Sequence, residues 1–215
     1  MPLHFLKTER KQIQHGNAHI TNKEIMKIEQ AKKEHAHDIA LLIMQAMSDE
    51  CCMNLVGPGK TLADFEQVMT DLAASECSQY SYLNTLVALN DDNRVAGAVV
   101  AYRGEDLHTL RKAFLHAAKE QLARDLDNIP DETEAGEYYI DSIAVYPEFR
   151  RMGIASSLLR AAIKRAHENG LPAGLLVDKL NPNAERLYTA LGFRYVNDKM
   201  WGGHEMKHMR CYCPE

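Results

Sequence analysis

The clearest chemical signal in the chain lies at residues 138–170. An apolar run from Tyr138 to Val145 leads into a loop that carries Gly153 and Ala155, and an apolar-periodic segment follows. A strand that turns through small residues into a helix N-terminus exposes backbone N–H groups that bind anions. The helix dipole adds roughly 0.3–1 kcal/mol of preference for negative charge. The pattern therefore predicts a phosphate or pyrophosphate site in this loop.

Tyr188 is a candidate acid. It shares one stripe of a predicted helix with Ala184, Leu187 and Leu191, so its side chain points inward. An inward tyrosine is either a core residue with a satisfied hydroxyl or a proton donor in a site, and the stripe alone does not separate the two.

Asp141 is a candidate base. By strand alternation, residues 139, 141, 143 and 145 are expected on one face of their strand, which makes Asp141 the nearest carboxylate on that face. A structural role, in which the carboxylate only accepts hydrogen bonds, is the alternative.

These residues depend on a series of alternating elements. Proline after an apolar run ends a strand, Asn169-Gly170 ends a helix, and Asn181 with Pro182 begins one. The strand-like segments are 26–31, 82–89, 94–102, 138–145, 175–178, 194–196 and 204–212. The helix-like segments are 39–47, 61–72, 107–122, 152–166 and 182–191.

Two motifs give these elements a family resemblance. Arg150-x-x-Gly153-x-Ala155, placed after Ile143-Ala144-Val145-x-Pro147, resembles the acyl-CoA-binding motif of the GNAT superfamily of N-acyltransferases. Asn181-x-x-Ala184-x-x-Leu187-Tyr188-x-x-x-Gly192-Phe193 is similar to the superfamily's next motif, at the expected distance. The resemblance extends over roughly residues 26–196.

The resemblance implies the fold. It is a single-domain α/β fold with a mixed, mostly antiparallel twisted sheet flanked by helices. The fourth and fifth strands, here 138–145 and 175–178, are expected to be parallel and to splay apart.

The resemblance also implies roles for particular residues. The pantetheine arm of acetyl-CoA is expected between the splayed strands, against the backbone of Ile143 and Val145. Tyr188 is expected to protonate the departing thiolate, and Asp141 is the candidate base. The implied set that binds acetyl-CoA is Ile143, Ala144, Val145, Arg150, Arg151, Met152, Gly153, Ile154, Ala155, Asn181 and Ala184. In place of the substrate-facing carboxylate found in some members, this chain has Tyr139.

The function implied is an acetyl-CoA-dependent N-acetyltransferase that transfers the acetyl group directly to a primary amine of a small molecule, a peptide or a protein. The alternative from another class is a non-catalytic acyl-CoA-binding sensor or interaction module. Neither the acceptor nor the length of the acyl chain is specified by a motif.

Two other motifs are rejected on their context. Gly57-Pro58-Gly59-Lys60-Thr61 lacks the first glycine and the preceding strand of a phosphate-binding P-loop, so a turn and a helix that begins near Thr61 are predicted. His204-Glu205-x-x-His208 matches a zinc-protease motif, but it follows a Gly-Gly pair and lacks a helical apolar face. A strand and no metal site are predicted there.

Composition limits the remaining possibilities. With 215 residues, 46% of them hydrophobic, the chain suits one domain over 26–215, preceded by a poorly ordered extension over 1–25. Five cysteines without an export signal indicate reduced thiols and a cytoplasmic location. A net charge of -5 with scattered lysines and arginines argues against nucleic acid, and no apolar run is long enough for a membrane span. An exposed C-terminal strand is compatible with a homodimer.

The segment 104–136 is predicted to be an insertion with one helix and an acidic tract. The tract is either a solvated loop or a lid on the substrate side.

Overall fold

A computed structural model describes residues 26–213, so the extension predicted over 1–25 lies outside the described residues. The strands are β1 (Lys27–Gln30), β2 (Thr85–Leu89), β3 (Val95–Arg103), β4 (Tyr138–Val145), β5 (Ala173–Asp178), β6 (Arg194–Trp201) and β7 (His204–Cys211). The helices are α1 (Ala36–Met47), α2 (Asp49–Asn54), α3 (Leu62–Ala74), α4 (Leu107–Gln121), α5 (Ile154–Glu168) and α6 (Pro182–Ala190).

The strands form one sheet in the order β1-β2-β3-β4-β5-β7-β6. All neighbouring pairs are antiparallel except β4 and β5, which are parallel. The predicted fold class is therefore confirmed. The structure adds the short helix α2, which the apolar pattern did not indicate, and extends β6 to Trp201.

Helices cover both faces of the sheet. One core contains buried residues of α1, α3 and α4 together with Val87 and Val100 of the sheet. The other contains the apolar face of α5, including Leu158 and Leu159, against β3, β4 and β5. Since β4 is covered on both faces, its nearly continuous apolar sequence is explained.

The Gly57–Thr61 segment forms the predicted turn. Thr61 is the N-cap of α3, where its side chain and that of Asp64 bond reciprocally to each other's backbone N–H. Gly57 donates its N–H to Leu122, and a Cβ at this position would collide with the carbonyl of Ala123. The glycine here allows close packing between two segments of the chain.

The acidic tract after α4 is not a solvated loop throughout. Glu132, Thr133 and Glu137 are buried. Arg111 of α4, which is also buried, forms ion pairs with Asp131 and Glu132. The tract is therefore packed against the domain, and the alternative of a solvated loop is wrong for these residues.

Glu137 anchors the end of this tract. Its carboxylate accepts hydrogen bonds from Thr133 Oγ1 at 2.6 Å, His208 Nε2 at 2.7 Å and Arg210 Nε at 2.6 Å. Burial alone would raise the pKa of Glu137, but these three donors hold it at about 2. A side chain at Gly174 of β5 would collide with this carboxylate, so the network also depends on that glycine.

We expect Glu137→Gln to destabilise the fold by about 3–5 kcal/mol, because it leaves His208 and Arg210 without their buried anion. The pKa of Glu137 is lower in the folded chain, about 2, than the usual 4.5, so its contribution is complete above pH ~4.5 and is lost as the pH falls toward 2. Urea unfolding at several pH values measures both effects. The control is Glu134→Gln, which removes an exposed partner of Arg210 and should cost less than about 1 kcal/mol. Equal losses in the two variants would contradict the assignment.

Candidate functional site: a cleft between β4 and β5

The sheet opens between its two parallel strands. β4 and β5 pair only over residues 138–140 and 173–175, and beyond Ile140 and Leu175 they no longer pair. β5 remains paired with β7 along its whole length, so β4 and β5 separate while the rest of the sheet stays continuous. A cleft of about 800 Å³ lies at this opening. We call the point where the strands part, at Ile140 and Leu175, the apex.

A β-bulge lies on β4 at the apex. Val100 of β3 is opposite Ser142, whereas the next residue, Ala101, is opposite Ile140, so Asp141 is the extra residue. A bulge changes the side on which the following residues point. The prediction that residues 139, 141, 143 and 145 share one face is therefore wrong. Ile143 and Val145 pack with Ile140 in the α5 core, whereas Asp141 bonds to Tyr102, whose ring packs on Tyr139.

Beyond the apex, one edge of β4 has no partner strand. Tyr146 donates its N–H to Ala96 of β3, so by alternation the backbone groups of Ile143 and Val145 point toward the cleft. The Val145 carbonyl accepts hydrogen bonds from Gln45 Nε2 at 3.0 Å and Arg150 Nε at 3.2 Å. The Val145 N–H and the backbone groups of Ile143 are the polar groups of this edge that face the cleft.

The loop before α5 presents a row of N–H groups. Arg151 and Gly153 have positive φ values of 63° and 82°, which bring the chain round into the helix. Within the described residues, none of the N–H groups of 151–156 bonds to a backbone carbonyl. Arg151, Met152 and Gly153 are exposed, and the buried side chain of Ile154 fixes the loop to the core. This is the geometry of an anion site.

Tyr188 lies on the β5 side of the cleft. Asn181 is the N-cap of α6, accepting the Ala184 N–H at 3.1 Å, and Pro182 begins the helix as predicted. The Tyr188 ring packs edge-on against Phe193 with 5.8 Å between ring centroids. Its hydroxyl makes no hydrogen bond with any described residue. Burial raises the pKa of Tyr188 to about 12, so the phenol is protonated at neutral pH and is available as a donor.

A buried polar network surrounds Asp141. Tyr102 Oη donates to Asp141 at 2.9 Å and lies 3.3 Å from Glu132, while Gln79 Nε2 lies 3.3 Å from both carboxylates. Ser142 Oγ donates to Asp141 at 2.9 Å, and Trp201 Nε1 donates to Glu132 at 3.3 Å. The two carboxylates thus lie side by side and share two donors.

Burial raises the pKa of Asp141, against the effect of the hydrogen bonds from Ser142, Tyr102 and Gln79. Burial, together with the nearby charge of Asp141, also raises the pKa of Tyr80, Tyr102 and Tyr139 well above the usual value. The three phenols are therefore protonated at neutral pH. The carboxyl with the raised pKa and the phenol of Tyr188 lie at the same cleft, which gives the site one candidate base and one candidate acid.

The sequence model of a known family matches residues 57–193, more than half of the chain, and its description is acetyltransferase (GNAT) family. The chain belongs to the GNAT acetyltransferase family.

Solved structures agree with this assignment. A crystal structure of an acetyltransferase is 30% identical, with a TM-score of 0.72 over 86% of this chain and 98% of that chain. The N-acetyltransferase from Staphylococcus aureus Mu50 is 23% identical, with a TM-score of 0.71 over 86% of this chain and 99% of that chain, and supports the fold alone. The NatC complex bound to Gag peptide and CoA is 14% identical, with a TM-score of 0.53 over 88% and 99%, and supports the fold alone. Comparison with curated protein sequences gives no significant match.

The GNAT cleft brings together most of the residues that the motifs indicated. Its walls include Asp141, Ile143, Ala144, Val145, Arg150, Ala155, Asn181, Ala184 and Tyr188. Arg151, Met152, Gly153 and Ile154 do not line the cleft with their side chains and can contribute through their backbone. The GNAT family uses an acyl-CoA as its cosubstrate.

The sequence did not indicate several residues at the apex, which are Gln79, Tyr80, Tyr102, Arg111, Glu132 and Trp201. They come from α4, from the acidic tract or from segments 39–62 positions away from Asp141, and no short motif links them. The acidic tract is the one signal in the sequence, because a lid on the substrate side is one of its two interpretations.

The His204–His208 segment forms strand β7 and not a helix. His204 Nδ1 lies 2.9 Å from Asp178, whereas His208 is buried against Glu137, so the two imidazoles have different partners. Residues 26–213 contain no group of three potential metal ligands and no helix long and apolar enough to cross a membrane.

We expect Gly153→Ala to weaken CoA binding about tenfold, because alanine at a φ of 82° costs roughly 1–2 kcal/mol and shifts the N–H groups of the loop. Isothermal titration with CoA measures the change. Gly59→Ala is the matched control, since Gly59 has a φ of 77° and open space around it but lies in the turn before α3. If both variants bind CoA like the original chain, the loop does not bind the cosubstrate.

Proposed function

We propose that this GNAT protein is an acetyl-CoA-dependent N-acetyltransferase that transfers the acetyl group directly to a primary amine of a small molecule or peptide. The observation that carries the proposal is the cleft between β4 and β5. It runs from a row of free N–H groups at α5 to a protonated phenol and a carboxyl of raised pKa. Because β4 and β5 pair over only three residues, the backbone groups beyond them lose hydrogen bonds between the strands. A ligand bound between the strands would restore such bonds.

The cleft fits an extended cosubstrate that ends in a pyrophosphate. The free edge of β4 offers the N–H and C=O groups of Ile143 and the N–H of Val145 to amide groups of a pantetheine arm. The N–H groups of residues 151–155 suit a pyrophosphate, and Arg150 adds a positive charge beside them. Asn181 and Ala184 form the opposite wall. Acetyl-CoA, when bound, supplies a thioester carbonyl that is open to attack by an amine.

Tyr188 assists the leaving group. Its hydroxyl has no protein partner among the described residues and carries its proton at neutral pH, so it can donate to the sulfur as the thioester opens. Because a thiol has a pKa of roughly 8.5 and the pKa of Tyr188 is about 12, complete proton transfer to a thiolate is uphill. The phenol therefore acts first as a hydrogen-bond donor to the developing charge on sulfur.

Asp141 accepts the proton of the attacking amine, directly or through water. An amine must lose a proton before or during attack, and a base works best when its pKa approaches the working pH. Burial moves the pKa of Asp141 in that direction. The hydrogen bonds from Tyr102 and Ser142 fix the carboxylate at the bulge, where it faces the cleft.

Direct transfer is favoured over an acyl-enzyme. Cys51 is the cysteine that lines the cleft, and its thiol has no hydrogen-bonded base among the described residues. A cysteine nucleophile is normally activated by such a base. Thiol release from acetyl-CoA against pooled amines, amino acids, aminoglycosides and peptide N-termini tests the proposed function, with Cys51→Ala in parallel. Loss of turnover in Cys51→Ala with normal CoA binding would indicate an acyl-enzyme.

Tyr188→Phe should lower kcat by about 10²–10⁴ and leave the Kd for acetyl-CoA unchanged, because only the donor to sulfur is removed. Steady-state thiol release and calorimetric binding separate the two effects. Tyr212→Phe, which removes an exposed hydroxyl outside the cleft, serves as the control. If no amine in the pool supports turnover while acetyl-CoA binds tightly, the protein is an acyl-CoA-binding module and not an enzyme.

Asp141→Asn should lower kcat/KM and remove the acid limb of its pH profile. As a base, Asp141 is active when deprotonated, and its pKa is raised, so activity should fall as the pH decreases through a pKa above the usual aspartate value. Asp178→Asn is the matched control, since Asp178 also lines the cleft but is bound to His204. An acid limb that persists unchanged in Asp141→Asn would show that the carboxyl is only structural.

A further inference from the structure

The apex of the cleft has a composition that selects among acceptors. Five side chains form what we call the acceptor wall, and all line the cleft. They are Tyr80, Glu132, Tyr139, Asp141 and Trp201. The anion loop that starts at Arg150 follows the far end of β4, and Val145 at that end lies about 13 Å along the strand from Asp141. A ligand group at the acceptor wall is therefore separate from the phosphates of the cosubstrate.

The wall carries excess negative charge. Glu132 and Asp141 lie side by side, and the buried cation next to them, Arg111, is already paired with Glu132 and Asp131. Of the described residues that line this end of the cleft, His204 alone can carry positive charge, and it is bound to Asp178. The wall thus offers two carboxylates to a ligand and no unpaired cation.

The wall also has more acceptors than donors. The protein can supply six hydrogens to the two carboxylates, which have about eight acceptor positions. They come from Tyr102, Ser142, Arg111 and Trp201, one each, and from the amide of Gln79, which has two. Gln79 is only 2% exposed, and its side-chain Oε1 has no donor among the described residues. A ligand rich in N–H groups would donate hydrogen bonds to the acceptor positions that the protein leaves without a donor.

Three aromatic rings complete the wall. Tyr80 and Tyr139 are almost fully buried, and the hydroxyls of both make no hydrogen bond with a described residue. Trp201 is oriented by its bond to Glu132. Aromatic faces and carboxylates together bind alkylammonium groups, since the ring quadrupole attracts the cation while the methylene groups pack on the ring.

We propose that the acceptor is a small cationic amine that carries no carboxylate beside its amino group, and that Glu132 and the aromatic rings select it. An α-amino acid would place its own carboxylate against Glu132 and Asp141 without a free cation to bind it, and like charges in a partly buried site repel. An amine such as a diamine or an arylalkylamine brings only donors and apolar carbons. The inference rests on the proposed acetyl transfer and adds the class of acceptor.

Matched pairs of ligands that differ only by a carboxylate test this selection. The pairs are phenethylamine with phenylalanine and tyramine with tyrosine, in which the amino acid has no second amino group. Binding to the CoA-loaded protein is measured by calorimetry, and kcat/KM is measured by thiol release from acetyl-CoA. We expect the amine of each pair to bind at least tenfold more tightly than its amino acid and to have the higher kcat/KM. Amino acids that bind equally well or better would overturn the inference.

The two readouts separate the inference from the function on which it rests. If neither amine nor amino acid supports turnover but the amines bind tenfold more tightly, the selection stands and the proposed transfer fails. In Glu132→Gln, the ratio of the two affinities within each pair should fall toward one. Asp127→Asn, which removes an exposed carboxylate from the same tract, should leave that ratio unchanged. Thermal melting confirms that Glu132→Gln is folded. If Glu132→Gln does not fold, the ratios of amine to amino-acid affinity in the original chain still test the inference.

Discussion

The separation of β4 from β5 is the constraint on which the rest of this structure depends. Every residue of a strand carries a donor and an acceptor, and a buried strand that lacks a partner loses stability for each one that stays unpaired. Here the loss begins after Ile140 and Leu175 and extends to the end of both strands. The number of unpaired backbone groups is limited because β5 pairs with β7 along its whole length and because two side chains donate to the Val145 carbonyl. The space left between β4 and β5 has the shape of one missing strand.

The bulge at Asp141 explains why the two walls of the cleft differ in character. Without the extra residue, alternation would place Asp141 with Ile143 and Val145 in the apolar core under α5. With it, those two residues pack with Ile140, and the carboxylate turns toward Tyr102 and the polar network. A single inserted residue therefore separates the chemistry of the apex from the apolar support of the strand, as bulges near active sites commonly do.

The sequence predicted the parts of this protein that depend on local patterns. Strand β4, the start of α6 at Asn181 and the cap at Thr61 follow from apolar periodicity, proline position and capping residues, and the two motifs located the cleft between them. The shared face of residues 139, 141, 143 and 145 was predicted incorrectly, because a bulge leaves no mark in an apolar run. Glu132, Gln79 and Trp201 could not be found because their contact with Asp141 depends on the packing of distant segments. Whether an acidic tract is solvated or buried is likewise decided by a partner such as Arg111, far from it in sequence.

The network around Glu137 has a consequence for how a ligand is recognised. The tract that carries Glu132 is attached at one end by Arg111 and at the other by the bonds of Glu137 to His208 and Arg210. Its backbone is therefore already ordered before any acceptor arrives, and little conformational entropy has to be given up on binding. Under the proposed function, such a wall would select its acceptor by fit and charge at low entropic cost. Cys51 of α2 and Gly202 of the β6–β7 turn also line the cleft but take no part in that anchorage, so replacements there would alter the cleft without loosening the tract.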